Sequence, residues 1–148
     1  MNSILFVCLG NICRSPLAEG IAKKIIQEKN LDIKIDSAGT GDWHIGESPC
    51  DNSIKVASLN SIDISKQKGR QVTKEDFETY DLIIALDDSN IANLKKIGNR
   101  DILKLGSFGH NNEDVPDPYF FDGFEGFDKV FAMIESCVIQ LIDEKTDD

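Results

Sequence analysis

Apolar residues along this chain follow two rhythms. Ile4-Leu5-Phe6-Val7 and Leu82-Ile83-Ile84-Ala85-Leu86 are continuous runs bounded by polar residues, the pattern of strands covered on both faces. Ile33–Asp36 and Ile102–Leu105 read as two further strands. Between them the period lengthens. Leu17, Ile21 and Ile25 recur every four residues, with Lys23, Lys24, Gln27 and Glu28 opposite, which predicts an amphipathic helix of about four turns. Ser15-Pro16 reads as its start, with serine as cap and proline at the first helical position. A weaker helical pattern covers 50–60, Thr73-Lys74-Glu75-Asp76 resembles a helix start, and Asp87-Asp88-Ser89-Asn90 reads as the cap of another. Phe127, Val130, Phe131, Ile134, Val138 and Leu141 line one face of a final helix. Cys137 falls on that stripe and reads as a small core residue.

Strands alternating with helices predict an α/β fold. The expectation is a three-layer sandwich, with a four-stranded parallel sheet and helices on both faces. One domain is expected over residues 1–148, with no internal repeat or linker. In such sheets ligands bind beyond the carboxyl ends of the strands, near the topological switch point. The segment 106–123 has little periodicity, and loops of that length in compact domains are usually functional or disordered.

Composition narrows the partners. The net charge is -10, the wrong sign for a protein that tracks nucleic-acid phosphates. No apolar run is long enough to span a membrane, and the N-terminus lacks the pattern of a signal peptide. A cytoplasmic location is therefore expected, with the four cysteines reduced. The two histidines, His44 and His110, lack ligand-like spacing with the cysteines. No metal or cofactor is expected.

The chemistry is concentrated in Cys8-Leu9-Gly10-Asn11-Ile12-Cys13-Arg14-Ser15, directly after the first strand. Five residues between a cysteine and an arginine suffice to turn the chain around one tetrahedral oxyanion. Gly10 and Asn11 accept backbone angles that other residues resist. The helix that follows aims its N-terminal N–H groups at the anion, and the same field favours a thiolate. Arg14 adds a planar donor for two phosphate oxygens, and Ser15 a hydroxyl for the sulfur. A purely structural turn is the alternative; the setting between a buried strand and a proline-started helix favours the anion loop. Breaking a phosphate ester also needs a proton for the leaving oxygen. Asp117, stiffened by Pro118, is the candidate, although Asp-Pro is also a common turn.

Val7-Cys8-Leu9-Gly10-Asn11-Ile12-Cys13-Arg14-Ser15-Pro16 resembles the first motif of the low-molecular-weight protein tyrosine phosphatase family. Ser37-Ala38-Gly39-Thr40, Gly41-Asp42-Trp43, Arg70–Phe77, Asp81, Asp87–Asn90 and Asp117-Pro118-Tyr119 fall where that family has its others, so the resemblance covers essentially the whole chain. It implies hydrolysis of phosphotyrosine in protein substrates, with phosphate and vanadate as ligands. By the same resemblance, Cys8 is the nucleophile that forms a phosphocysteine, Arg14 binds the phosphoryl group, and Asp117 is general acid, then base. Leu9, Gly10, Asn11, Ile12, Cys13 and Ser15 form the binding loop, and Trp43 and Tyr119 wall the cleft around the phenol ring. Cys13 matches the second thiol of the loop, implying a reversible bridge to Cys8 on oxidation.

Gln67 stands where the family often has a histidine, and the resemblance would join Asp87 to that position, so the network beneath the loop is expected to differ. Phe120 replaces a frequent second tyrosine. Two rivals share the resemblance. Arsenate reductase has this fold and loop but needs two further cysteines close together, and Cys50 and Cys137 are far apart in sequence. A non-catalytic phosphotyrosine-binding module would not need Cys8, Arg14 and Asp117 together.

Overall fold

The computed structural model describes residues 1–118 and 123–146. Four parallel strands, β1 (Ser3–Cys8), β2 (Lys34–Gly39), β3 (Leu82–Ala85) and β4 (Leu103–Lys104), lie in the order β2-β1-β3-β4. The helices are α1 (Arg14–Glu28), α2 (Asp51–Leu59), the single turn α3 (Asp76–Thr79), α4 (Asp88–Lys95) and α5 (Glu125–Thr146). The expected three-layer sandwich is the fold observed.

β1 is central because its side chains serve two cores in alternation. Ile4, Phe6 and Cys8 face a large cluster with α1, α2 and α5, including Leu17, Ile21, Val56, Phe127 and Ile134. Leu5 and Val7 face a smaller one with Val72, Tyr80, Ile83 and Leu94. The period of two on a doubly covered strand leaves no polar position from Ile4 to Val7, and the one polar side chain of β1, Ser3 at its start, accepts the Asp81 amide. Cys137 is fully buried in α5 among the first set. Burial pushes its thiol up to about 11. No helix among the described residues is long and apolar enough to cross a membrane.

β1 pairs with β2 on one side and β3 on the other, both parallel. The chain therefore departs from β1 in opposite directions, and the carboxyl end of β1 is the switch point. Residues 9–13 follow at that end.

Three local details differ from the sequence pattern. β2 runs through Gly39, beyond the expected Asp36, because Gly39 is held on both sides: it pairs with Cys8 of β1, and on the other edge it donates to Arg70 O and accepts from Val72 N. Thr73–Asp76 opens only one helical turn: Tyr80 is already extended, and Arg100 Nη1 donates to Phe77 O and Tyr80 O. α1 begins at Arg14, with Cys13 before it and no side-chain cap. Ser15 is thus not the cap; its hydroxyl is engaged elsewhere.

Candidate active site

Cys8 ends β1 with its side chain buried, and the loop after it folds back over the sulfur. Asn11 turns the loop. Its φ of 58° is left-handed, a conformation that asparagine tolerates better than most residues. The turn aims the Asn11 N–H at Cys8 Sγ, 3.3 Å away. The buried Asn11 amide is fully used: Nδ2 donates to Ser15 Oγ (2.8 Å) and Ser37 Oγ (2.9 Å), and Oδ1 accepts the Arg70 amide at 3.0 Å.

Ser15 Oγ lies 3.0 Å from Cys8 Sγ. That oxygen also accepts from Asn11, so the hydroxyl can turn its own hydrogen to the sulfur and donate to it. Behind it, Ser37 donates to Glu19 Oε1 at 2.6 Å, and Glu19 pairs with Lys23 at 2.6 Å. A chain of hydrogen bonds thus runs from a carboxylate within α1 to the thiol. Gly39 completes the support: a Cβ there would stand 2.7 Å from Leu9 O, so only glycine lets the loop rest on β2.

Arg14 opens α1 and is buried. Its Nη1 donates to Asp87 Oδ2 (2.7 Å) and to Val115 O (2.9 Å). Nε and Nη2 keep three N–H donors for a ligand. Burial works against the charge, but Cys8 and Asp87 outweigh it and hold the guanidinium above its ordinary range. Asp87 does not join position 67, and the network beneath the loop differs, as expected from Gln67. Asp87 follows β3, on one side of β1, whereas Gln67 donates to Pro16 O on α1.

Asp117 reaches the site through an anchored segment. Val115 N donates to Leu86 O at 2.8 Å, extending the end of β3, and Val115 O receives Arg14. Asp114 is held by the buried Lys104 at 2.7 Å and accepts the Asp88 amide at 3.0 Å. That Lys104 contact, ahead of burial, puts the Asp114 carboxyl below its usual range.

These elements enclose a cleft of about 250 Å³ lined by Cys8, Leu9, Gly10, Ile12, Cys13, Arg14, Trp43, His44 and Asp117. Trp43 is largely exposed, its ring over Gly41 at the cleft wall. Asn11 and Ser15 lie beneath, as supports for loop and sulfur. Tyr119 falls outside the described residues, as does Phe120.

Sequence reasoning missed His44, which lines the cleft beside Gly10 and bonds Glu47 at 2.8 Å; its place next to Trp43 was the available signal. It also missed Cys50, whose Sγ lies 2.7 Å from Cys13 Sγ. Among the described residues, no group of three or more His, Cys, Asp or Glu is arranged to hold a metal ion.

Comparison with known proteins finds relatives in both sequence and fold. The sequence model of the family described as low molecular weight phosphotyrosine protein phosphatase matches residues 3–148. The low molecular weight protein-tyrosine-phosphatase PtpA of Staphylococcus epidermidis is 41% identical, over 97% of this chain and 93% of its own length. A crystal structure of a protein tyrosine phosphatase from Entamoeba histolytica, with Hepes in the active site, superimposes with a TM-score of 0.92 at 34% identity, covering 99% of this chain and 98% of the other. Vibrio vulnificus Wzb in complex with benzylphosphonate gives 0.87 at 27% identity, covering 97% and 98%.

Proposed function

The chain belongs to the low molecular weight phosphotyrosine protein phosphatase family, and from that membership we propose that it hydrolyses phosphotyrosine in proteins through Cys8. The phosphoryl oxygens sit in the loop of residues 8–15, with Arg14 Nε and Nη2 across two of them. Cys8 Sγ attacks phosphorus in line. As the S–P bond forms and the P–O bond breaks, Asp117 gives its proton to the departing phenol oxygen. In the second step Asp117 takes a proton from water, whose oxygen attacks phosphorus. The S–P electron pair returns to sulfur, where the Ser15 hydroxyl receives it.

The observation that carries this reading is the convergence of Ser15 Oγ and Asn11 N on one buried sulfur, in a cleft also lined by Arg14 and Asp117. Trp43 and Tyr119 are proposed to flank the phenol ring, giving a slot deep enough to favour phosphotyrosine over the shorter phosphoserine. The benzylphosphonate bound by Wzb, a phenyl ring one methylene away from a tetrahedral phosphorus, supports such an occupant. Phosphate and vanadate are proposed as ligands and inhibitors, and the cytoplasm as the place of action.

The test is hydrolysis of an aryl phosphate by the purified protein and its Cys8→Ser variant, with acid-quench trapping of phosphorylated enzyme. Turnover and a trapped phosphocysteine are expected in the wild type and neither in the variant, which should still bind phosphate. A variant that turns over normally refutes the assignment.

A further inference from the structure

We infer that Cys13 and Cys50 form a second reactive site: a dithiol that takes over the oxidising equivalents of a hydroperoxide from Cys8 and returns the catalytic thiol to use. The inference rests on the reading of Cys8 as an ionised nucleophile.

Three observations carry it. The sulfurs of Cys13 and Cys50 lie 2.7 Å apart, against ~2.05 Å in a formed disulfide, so bridging them needs little movement. The backbone holds them there: Cys50 N donates to Ile12 O (2.8 Å), and Ser53 Oγ bonds both Cys13 O (3.2 Å) and Cys50 Sγ (3.1 Å). The pair also joins two surfaces. Cys13 lines the catalytic cleft with Cys8, whereas Cys50 lines a separate outer groove of about 670 Å³ with Glu47, Ser48, Pro49 and Asn52. Oxidation that begins at Cys8 can therefore end where a dithiol reductant reaches it without entering the cleft. Cys50 immediately precedes the nine-residue helix α2, and its Sγ donates to Ser53 Oγ, which gives the thiol proton an acceptor beside it. The Cys50 contact, with burial second, holds Cys13 well above the ordinary thiol range, which leaves Cys50 as the attacking partner of the two.

The steps balance. Cys8 thiolate attacks a hydroperoxide oxygen; the S–O bond forms, the O–O bond breaks, and the departing alkoxide or hydroxide takes a proton. Cys13 sulfur then attacks the sulfenic sulfur, forming the 8–13 disulfide and releasing hydroxide, which leaves as water with the Cys13 proton. Cys50 gives its proton to solvent, replacing the one taken by the alkoxide or hydroxide, and its sulfur attacks Cys13; the 13–50 disulfide forms and the electron pair of the broken bond returns to Cys8 as thiolate. In sum, one hydroperoxide and two thiols give an alcohol or water, a water molecule and one disulfide.

The experiment treats the reduced wild-type chain and Cys50→Ser with one equivalent of hydrogen peroxide, without added reductant. Aryl phosphatase activity is read before and after treatment. Remaining thiols are then blocked with iodoacetamide and tryptic peptides are mapped. Expected in the wild type is a cross-link between the peptide ending at Arg14 and the one holding Cys50, with Cys8 alkylated. Roughly tenfold more residual activity is expected in the wild type than in Cys50→Ser, which should stop at an 8–13 bridge that dithiothreitol reverses. An 8–13 bridge as the final product in the wild type, with equal inactivation of both proteins, overturns the relay. The wild-type map decides the matter even if the variant misfolds. Absence of phosphatase activity before any peroxide strikes instead at the proposed function, and so separates the two failures.

Discussion

Asp87 divides its carboxylate between two partners: Oδ2 meets Arg14 Nη1 at 2.7 Å, and Oδ1 accepts the Asn90 amide that opens α4, also at 2.7 Å. One side chain caps a helix and orients the anion-binding guanidinium across 73 residues of sequence. Asparagine is as good a cap as aspartate, so Asp87→Asn should keep the fold and lose the charged contact. Charge-assisted bonds contribute ~1.5–3 kcal/mol, so kcat/KM for an aryl phosphate should fall by roughly one to two orders of magnitude, with little change in Tm. Asp87→Ala should lose about 1 kcal/mol of stability in addition. Kinetics and thermal melts on both variants separate the two duties; equal Tm losses would show that the cap adds no stability of its own.

Asp117→Asn removes the proposed proton donor and leaves its volume. General acid catalysis contributes ~10²–10⁴-fold, and the loss should be largest for esters of weakly acidic phenols. Rates measured over a series of leaving groups should depend far more steeply on phenol pKa in the variant. A uniform loss across the series would reject the acid role.

Gly39→Ala tests the support beneath the loop. The added methyl would lie 2.7 Å from Leu9 O, and relieving such a contact costs ~1–3 kcal/mol. The strand is anchored on both sides, so the loop is the part expected to yield. Phosphate affinity and kcat should fall more than the midpoint of urea unfolding would suggest.

Asp76 should make stability depend on pH. Burial pushes its carboxyl up, but hydrogen bonds from Arg70 and Thr73 outweigh this, and the folded value lies below the ordinary one. A group depressed on folding stabilises the protein fully above its unfolded value, ~3.9, and that contribution disappears as pH falls through the folded value. Urea midpoints measured downward from about pH 5 should drop in the wild type and be flatter in Asp76→Asn.

What could be read from the sequence was what is local. Cys8, Arg14 and the strand, loop and helix around them lie within one short stretch, so spacing alone placed the anion site. The partners that tune it come from afar: Asp87, Ser37, Arg70, Cys50 and Val115 meet the loop only once β2 and β3 flank β1. Nothing in a linear pattern ranks those pairings. Ser15 shows a different failure. Ser-Pro before an apolar period signals a cap, yet the Cys8 sulfur and the Asn11 amide compete for the hydroxyl and win, leaving α1 uncapped by any side chain. The helix N–H groups that a cap would have satisfied stay available to an anion.

Val115 ties two events together. Its amide is fastened to Leu86 and its carbonyl to Arg14, with Asp117 two residues further on. Lifting that stretch away from the sheet would strip the arginine of an acceptor and withdraw the acid at the same moment. Departure of inorganic phosphate and resetting of the proton donor would then be one motion, and a turnover could not stall with the anchor closed and the acid displaced.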